Sequence, residues 1–348
     1  MLSLEELLRY AGEQRASDIH LTVESPPVLR IDGSIVKLQM EKLSQADLET
    51  FTHSLMDTQQ FKRFTDCGEI DLAYSIPGIG RYRVNAFQQR GSTSFVIRSI
   101  SFVIPSPESL GLPPAIIDLA SLSKGLVLVV GPSGNGKSTT LASLIDYINR
   151  TRACHIVTIE DPIEYLHDHN LSLVNQREVG SDTRSFTYAL RSVLRQDPDV
   201  ILVGEMRDLE TIATTVTAAE TGHLVFSTLH TNDAIQSIDR MIDVFPSHQQ
   251  QQIRGQLANV LQGIISQQLL PRADHKGRVA AFEFLLATSA VRSLIREGKT
   301  YQLSTVIQTN AKLGMQTMDK AIMDLVQKGL ITGEIAKEKL ESQGSFRR

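Results

Sequence analysis

Gly131-Pro132-Ser133-Gly134-Asn135-Gly136-Lys137-Ser138 is a complete G-x-x-x-x-G-K-[ST] run, set between the apolar segment Leu126 to Val130 and a helix-forming stretch. A loop of this type turns its backbone N–H groups inward around phosphate oxygens, and a Cβ at the glycine positions would clash or forbid the dihedrals. Lys137 brings a point positive charge to the β and γ phosphates, Ser138 a hydroxyl ligand for Mg²⁺, and the following helix the positive end of its dipole. Ser133, Gly134, Asn135, Gly136, Lys137, Ser138 and Thr139 are the expected surroundings of a nucleoside triphosphate, with ATP and Mg²⁺ as the implied pair.

The neighbouring sequence predicts the sheet that such a loop requires. From Gly125 onward, apolar runs of strand length alternate with helix-period segments: Leu126 to Val130, His155 to Ile159, Val200 to Val203 and Leu224 to Phe226. This alternation predicts an α/β unit, a parallel sheet between layers of helices. Past Asp233 no further strand is expected. Amphipathic segments at Val244 to Leu270, Ala290 to Glu297 and Met318 to Lys328 predict a helical C-terminal part instead.

Splitting the γ-phosphate also requires acids to hold the metal and orient the attacking water. Open α/β sheets present ligand sites at the C-terminal ends of their strands. Glu160, Asp161 and Glu164 follow the strand ending at Ile159, and Glu205 follows Val200 to Val203 in the apolar-strand-then-carboxylate arrangement of a Walker B segment. Thr221 to Thr231 spans one more strand with His223 and His230 at its ends. An imidazole there can sense or donate to a phosphate, or simply be a hydrogen-bonded half-buried residue.

The 348 residues suit two domains, so a boundary should exist. Ser3 and Glu6 form a capping-box pattern, Leu2 and Leu7 are placed to staple around it, and Leu4, Leu7, Leu8 and Ala11 form the buried stripe of the helix. Short strand-like runs follow, such as Val28 to Ile31 and Tyr82 to Ala86, the first closed by the hairpin signal Asp32-Gly33. Residues 1–100 thus read as an α+β domain, and the prolines 105, 107, 113 and 114 mark 101–123 as a linker. An ATPase core over 124–285 and a helical subdomain over 286–348 complete the reading.

Composition excludes several classes. The net charge is −4 with the signs interspersed, which gives no electrostatic footprint for stable nucleic-acid binding or for an anionic membrane. Cys67 and Cys154 are far apart and form no C-x-x-C pair, so neither a zinc site nor a disulfide framework is expected. Glu5 and Glu6 stand where a signal peptide needs positive charge. The longest apolar run, Gly125 to Val130, is far too short for a transmembrane segment.

Taken in order, the phosphate loop, the acidic Ile159-to-Glu164 segment, the Glu205 strand and the His223-to-His230 segment resemble the Walker A, Asp, Walker B and His boxes of the secretion and type IV pilus ATPases. Ala290 to Glu297 resembles the AIRNLIRE motif of the retraction branch of that family, and Gly314 to Asp319 the segment that follows it. The absence of a four-cysteine cluster and of a long additional N-terminal domain points away from the assembly branch. The resemblance implies a PAS-like N-terminal domain, a RecA-like P-loop NTPase domain, and a homohexamer with ATP between neighbouring subunits. It implies Glu164 as the carboxylate acting on water, Glu205 as the Walker B acid holding Mg²⁺ through water, and His230 as the γ-phosphate sensor. It also implies Arg83 and Arg98 as charge-neutralising arginines, which without the family would read as solvated strand-face residues.

The implied function is a cytoplasmic motor, peripheral at the inner-membrane pilus base, that powers pilus retraction and twitching motility. It would act on a platform protein of the PilC type and alongside a PilU-type paralogue. Assembly or type II secretion ATPases, an accessory PilU-type subunit, a non-catalytic subunit that assists a sister motor, and a P-loop phosphotransferase or RecA-like DNA-acting ATPase are the alternatives. Ser133, Asn135, Val291 and Ser293 depart from the family's usual residues, and Glu24 stands where a glycine is usual. Ser133 and Asn135 leave the expected phosphate contacts intact, because those positions contribute chiefly backbone amides.

Overall fold

The computed structural model describes residues 3–14, 16–31, 33–76, 79–100 and 103–342. Its backbone divides into two compact units, Met1–Val103 and Ile104–Arg348.

The first unit contains α1 (Leu4–Glu13), β1 (Asp18–Leu21), β2 (Val28–Ile31), β3 (Ser34–Lys37), α2 (Gln45–Leu55), α3 (Thr58–Cys67), β4 (Glu69–Ile76), β5 (Gly80–Gln89) and β6 (Ser92–Ile100). The capping box forms as the sequence predicts. The Ser3 hydroxyl accepts the Glu6 N–H, the Glu6 carboxylate accepts the Ser3 N–H, and Leu4, Leu7, Leu8 and Ala11 are buried. The proposed staple falls on Leu2, which lies outside the described residues, as does Asp32 of the hairpin turn. The hairpin itself exists, with Ile31 opposite Ser34. Six antiparallel strands form one sheet in the order β3-β2-β1-β6-β5-β4. The apolar stripe of α1 joins Ile19, Leu21, Val84, Ala86, Phe95 and Ile97 in the core, and the buried Tyr82 hydroxyl donates to the Leu8 carbonyl. Glu24 adopts a left-handed φ of 60°, which accounts for the glycine usual at that position.

The second unit begins with α4 (Pro114–Ile117) and β7 (Gly125–Val130), followed by α5 (Lys137–Thr151), β8 (His155–Glu160) and β9 (Leu173–Glu178). Next come α6 (Phe186–Val193), β10 (Val200–Val203), α7 (Leu209–Glu220), β11 (Leu224–Leu229), α8 (Ala234–Asp243), α9 (Ser247–Val260), β12 (Leu261–Pro271) and β13 (Arg278–Leu286). Among the described residues, α10 (Ser289–Arg296), α11 (Leu303–Thr309), α12 (Met318–Gln327) and α13 (Gly333–Ser342) follow. The sheet order is β13-β12-β7-β11-β10-β8-β9, parallel throughout except for the β12–β13 pair.

Alternation on the central strands separates two cores. Leu126, Leu128, Val130, Val157, Ile159, Ile201, Val203 and Val225 pack with α6 to α11 on one face. Val127, Val129, Ile156, Val200, Leu202, Leu224 and Phe226 pack with α4 and α5 on the other, where Leu112, Ile116 and Leu119 are also buried. Each such side chain contributes about 1.5–3 kcal/mol when fully buried. A one-residue register slip would exchange the two faces and is strongly disfavoured.

Two expectations are corrected. The strands do not stop at Asp233, and the segment Val244 to Leu270 is not one helix, because α9 ends at Val260 and β12 starts at Leu261. A free ladder edge on β7 takes up Leu261 to Ser266, and β13 then pairs with β12. This long-range pairing overrides a local pattern that fits a helix. The edge strand β9 was not anticipated, since Asn175, Gln176, Arg177 and Glu178 form no apolar run.

Candidate nucleotide-binding site

The phosphate loop leaves β7 at Val130 and enters α5 at Lys137. Gly131, Gly134 and Gly136 hold φ values of 147°, 77° and 78°, all in territory that L side chains rarely adopt. At Gly131 a Cβ would also stand 2.5 Å from the Gln267 carbonyl oxygen, so space and dihedral both demand glycine. No side chain caps the first turn of α5, which leaves its N–H groups and dipole facing the loop. These features fit a polyphosphate.

Lys137 is buried, and its ammonium donates to the carbonyls of Gly131 (2.6 Å) and Pro132 (3.1 Å). Burial lowers its pKa below the ordinary lysine value, and the negative charge of Glu205 partly offsets that effect. The exposed Ser138 lies in the first turn of α5 beside Lys137, where its hydroxyl would hold a Mg²⁺ bound with the nucleotide.

The loop is braced against β12 and β13. The Asn135 amide oxygen accepts the Leu269 N–H at 2.8 Å, Arg278 donates to the Gly134 carbonyl at 3.1 Å, and Thr140 donates to the buried Gln267 side chain at 2.7 Å. Asn135 therefore contributes its side chain as well as its backbone. Gln267 and Arg278 were missed by sequence reasoning, since a glutamine and an arginine in a segment read without strands carry no signal.

Glu205 follows β10, His230 follows β11, and the parallel ladder brings the two ends together. His230 Nε2 lies 3.3 Å from Glu205 Oε2, and His230 Nδ1 shares a 3.3 Å hydrogen bond with Ser133 Oγ of the phosphate loop. Arg207 holds the other Glu205 oxygen at 2.6 Å. Ser133, His230, Glu205 and Arg207 thus form one chain of polar contacts, which the electrostatic attraction of Glu205 for Lys137 extends to the ammonium. Arg207, two residues beyond the Walker B acid, is a member that sequence reasoning missed.

The loop after β8 supplies the second group of acids. Glu164 is exposed, and its N–H bonds the Glu160 carboxylate, which also accepts from Thr158 Oγ1 (2.6 Å) and Gln176 Nε2 (3.2 Å). Burial raises the Glu160 pKa, against these hydrogen bonds and aided by the nearby Glu164 charge. Tyr165 Oη shares a 2.9 Å hydrogen bond with Thr139 Oγ1 and joins this loop to the first turn of α5. Asp161 is exposed and reaches the chain around Glu205 only through its charge, which acts on Arg207, whereas His223, at the far end of β11, bonds the Ala218 carbonyl and lies outside it.

Arg83 and Arg98 belong to the first unit. There they stand opposite each other on β5 and β6, and the register continues the row to Asp18 on β1 and Arg30 on β2. Asp18 is buried and accepts from Arg98 Nε at 2.8 Å, with Arg30 Nε at 3.9 Å.

A profile of type II/IV secretion system proteins matches residues 2–338. The chain is 47% identical over 345 residues to the type IV pilus retraction ATPase PilT of Pseudomonas aeruginosa, covering 99% of this chain and 100% of that one. It is 44% identical over 344 residues to a twitching motility protein of Neisseria gonorrhoeae, covering 99% and 92%. The fold is similar to the crystal structure of the pilus retraction motor PilT with bound ADP, at a TM-score of 0.91 and 50% identity, with 97% of each chain covered.

Proposed function

This chain belongs to the type II/IV secretion system protein family, and from that premise we propose that it is an ATP-hydrolysing motor that powers retraction of a type IV pilus. The observation that carries the reading is the meeting of a strained glycine loop, a buried ammonium and the Glu205–His230 pair at the ends of adjacent parallel strands. Full-length similarity to a pilus retraction ATPase and to a retraction motor holding ADP supports it from outside.

In this reading the phosphates of ATP rest on the main-chain amides from Ser133 to Thr139. Lys137 turns from the loop carbonyls to the β and γ phosphates. The Ser138 hydroxyl and, through water, Glu205 would hold a Mg²⁺ ion, which would supply positive charge to the phosphates. Glu164 orients the attacking water and takes up its proton. His230, bonded to Ser133 and Glu205, reports whether the γ position is filled. Arg83 and Arg98 neutralise transferring charge, and a guanidinium suits that task because it stays protonated. Hydrolysis then drives rigid-body motion between subunits of a six-membered ring. The ring acts on an inner-membrane platform protein of the pilus from the cytoplasmic side. Among the described residues no helix is long and apolar enough to cross a membrane.

Two substitutions test the chemistry. Glu164→Gln should lower turnover about 10³-fold or more while ATP binding persists, and Lys137→Ala should lose both. Turnover near the unmodified rate in Glu164→Gln would remove the hydrolytic assignment. For direction, a deletion strain should be piliated yet unable to twitch, and bald cells would argue for assembly instead.

A further inference from the structure

Strand β9 pairs in register with β8, Thr158 opposite Gln176 and Glu160 opposite Glu178. Alternate residues of a strand share a face, so Val174, Gln176 and Glu178 look the same way. Val174 is buried in the apolar core, yet the next two positions on that face are polar. A buried polar group costs free energy unless it is paired, and both of these are paired with the loop that carries Glu164.

Gln176 Nε2 donates to the Tyr165 carbonyl (2.8 Å) and to Glu160 (3.2 Å), and Gln176 Oε1 accepts the His167 N–H (2.8 Å). Glu178 is 4% exposed, and its Oε2 accepts the Ile163 N–H at 3.0 Å. The main chain is therefore gripped at residue 163 on one side of Glu164 and at residues 165 and 167 on the other. Glu164 itself is exposed, so packing does not aim it. The Tyr165–Thr139 hydrogen bond carries the same alignment to the phosphate helix.

We propose that Gln176 and Glu178 are positioning residues for hydrolysis: they clamp the main chain on both sides of Glu164 and so fix its carboxylate relative to Lys137 and Ser138. The assignment rests on Glu164 acting on the attacking water. Neither side chain is required to touch nucleotide. Their effect passes through the loop, and about 1 Å of misplacement at a reacting group is enough to lower a rate about 100-fold.

The test uses the full chain and reads ATP turnover, affinity for a non-hydrolysable ATP analogue and thermal melting in parallel. Gln176→Met, which keeps the volume and removes the three hydrogen bonds, should lower kcat about 10- to 100-fold and leave analogue affinity within about twofold. Glu178→Met should behave in the same way. Glu178→Gln, whose amide oxygen still accepts the Ile163 N–H, should keep most of the rate. Combined with Glu164→Gln, Gln176→Met should add no further loss, because the clamp acts only through that carboxylate. If Gln176→Met fails to fold, Gln176→Asn is the milder variant and should lower kcat with the same unchanged affinity. An unchanged kcat in a folded Gln176 variant overturns the proposal, and so does a parallel loss of analogue binding. The premise fails separately if Glu164→Gln turns over normally, whereas an inactive Glu164→Gln beside a fully active Gln176→Met sinks the clamp alone.

Discussion

In the seven-stranded sheet, every residue of β7, β10 and β11 is buried, and the charged groups that these three strands bring to the candidate site come after they end, at Lys137, Glu205 and His230. In the six-stranded sheet, Arg83, Arg98, Asp18 and Arg30 lie within four neighbouring strands and form a row across them. The difference follows from covering. Helices bury both faces of these central strands, so a charge inside one of them would be desolvated and their charged site residues stand beyond the strand ends. The antiparallel sheet has an open face where Arg83 and Arg98 are exposed, and arginines there cost little. A carboxylate beyond a fully apolar strand is thus informative in a way that an arginine on an exposed strand face is not.

The sharpest way to break this contrast is to ask the two units for the same substitution. Gly131→Ala in the phosphate loop meets a φ of 147° and the Gln267 carbonyl, and should cost about 4 kcal/mol of stability. Gly91→Ala, at the β5–β6 turn with a φ of 78° and nothing within 4 Å, should cost about 1 kcal/mol. Urea denaturation of both variants checks this, and equal losses would show that the loop is no more constrained than an ordinary hairpin turn.

Acid should separate the units next. Burial lowers the His167 pKa from 6.5 to about 4, and its Nδ1 has no hydrogen-bond partner among the described residues. The folded protein prefers the neutral ring while the unfolded chain protonates near 6.5. Stability is therefore full above pH 6.5, declines as the pH falls toward 4, and levels off below that, a loss of about 3 kcal/mol. His167→Phe should flatten this window. A pH dependence unchanged by the substitution would assign the acid sensitivity elsewhere.

The smallest effect belongs to Asp18. Burial opposes its charged form, but hydrogen bonds from Arg98 and Ser17 outweigh that and hold its pKa below the ordinary 3.8. Its contribution is present above 3.8 and lost only as the pH falls through the lower folded value, a window distinct from that of His167. Because Arg98 is largely exposed, Asp18→Asn should cost only about 1 kcal/mol at neutral pH. A loss several times larger would make the charged row a stabilising element of the sheet.

Legibility in the sequence followed the same division. The strands β7, β8, β10 and β11 were readable because complete or near-complete burial leaves apolar runs. β9 was not, since an edge strand whose inward positions hold Gln176 and Glu178 has neither an apolar run nor clean alternation. β12 was read as helix because it follows α9 with no intervening turn residue, and only its pairing with β7 selects the strand. Glu164 could be named from its motif, but the residues that hold it could not.

What the sequence determined alone was the phosphate loop, because the positive φ angles at Gly131, Gly134 and Gly136 and the helix start at Lys137 are local requirements that neighbouring residues meet. Tertiary structure decided which distant polar groups meet. Ser133 and His230 are 97 positions apart, Asn135 and Leu269 are 134 apart, and Arg278 and Gly134 are 144 apart. No periodicity links such pairs, and only the order and register of the strands carries them into hydrogen-bonding range.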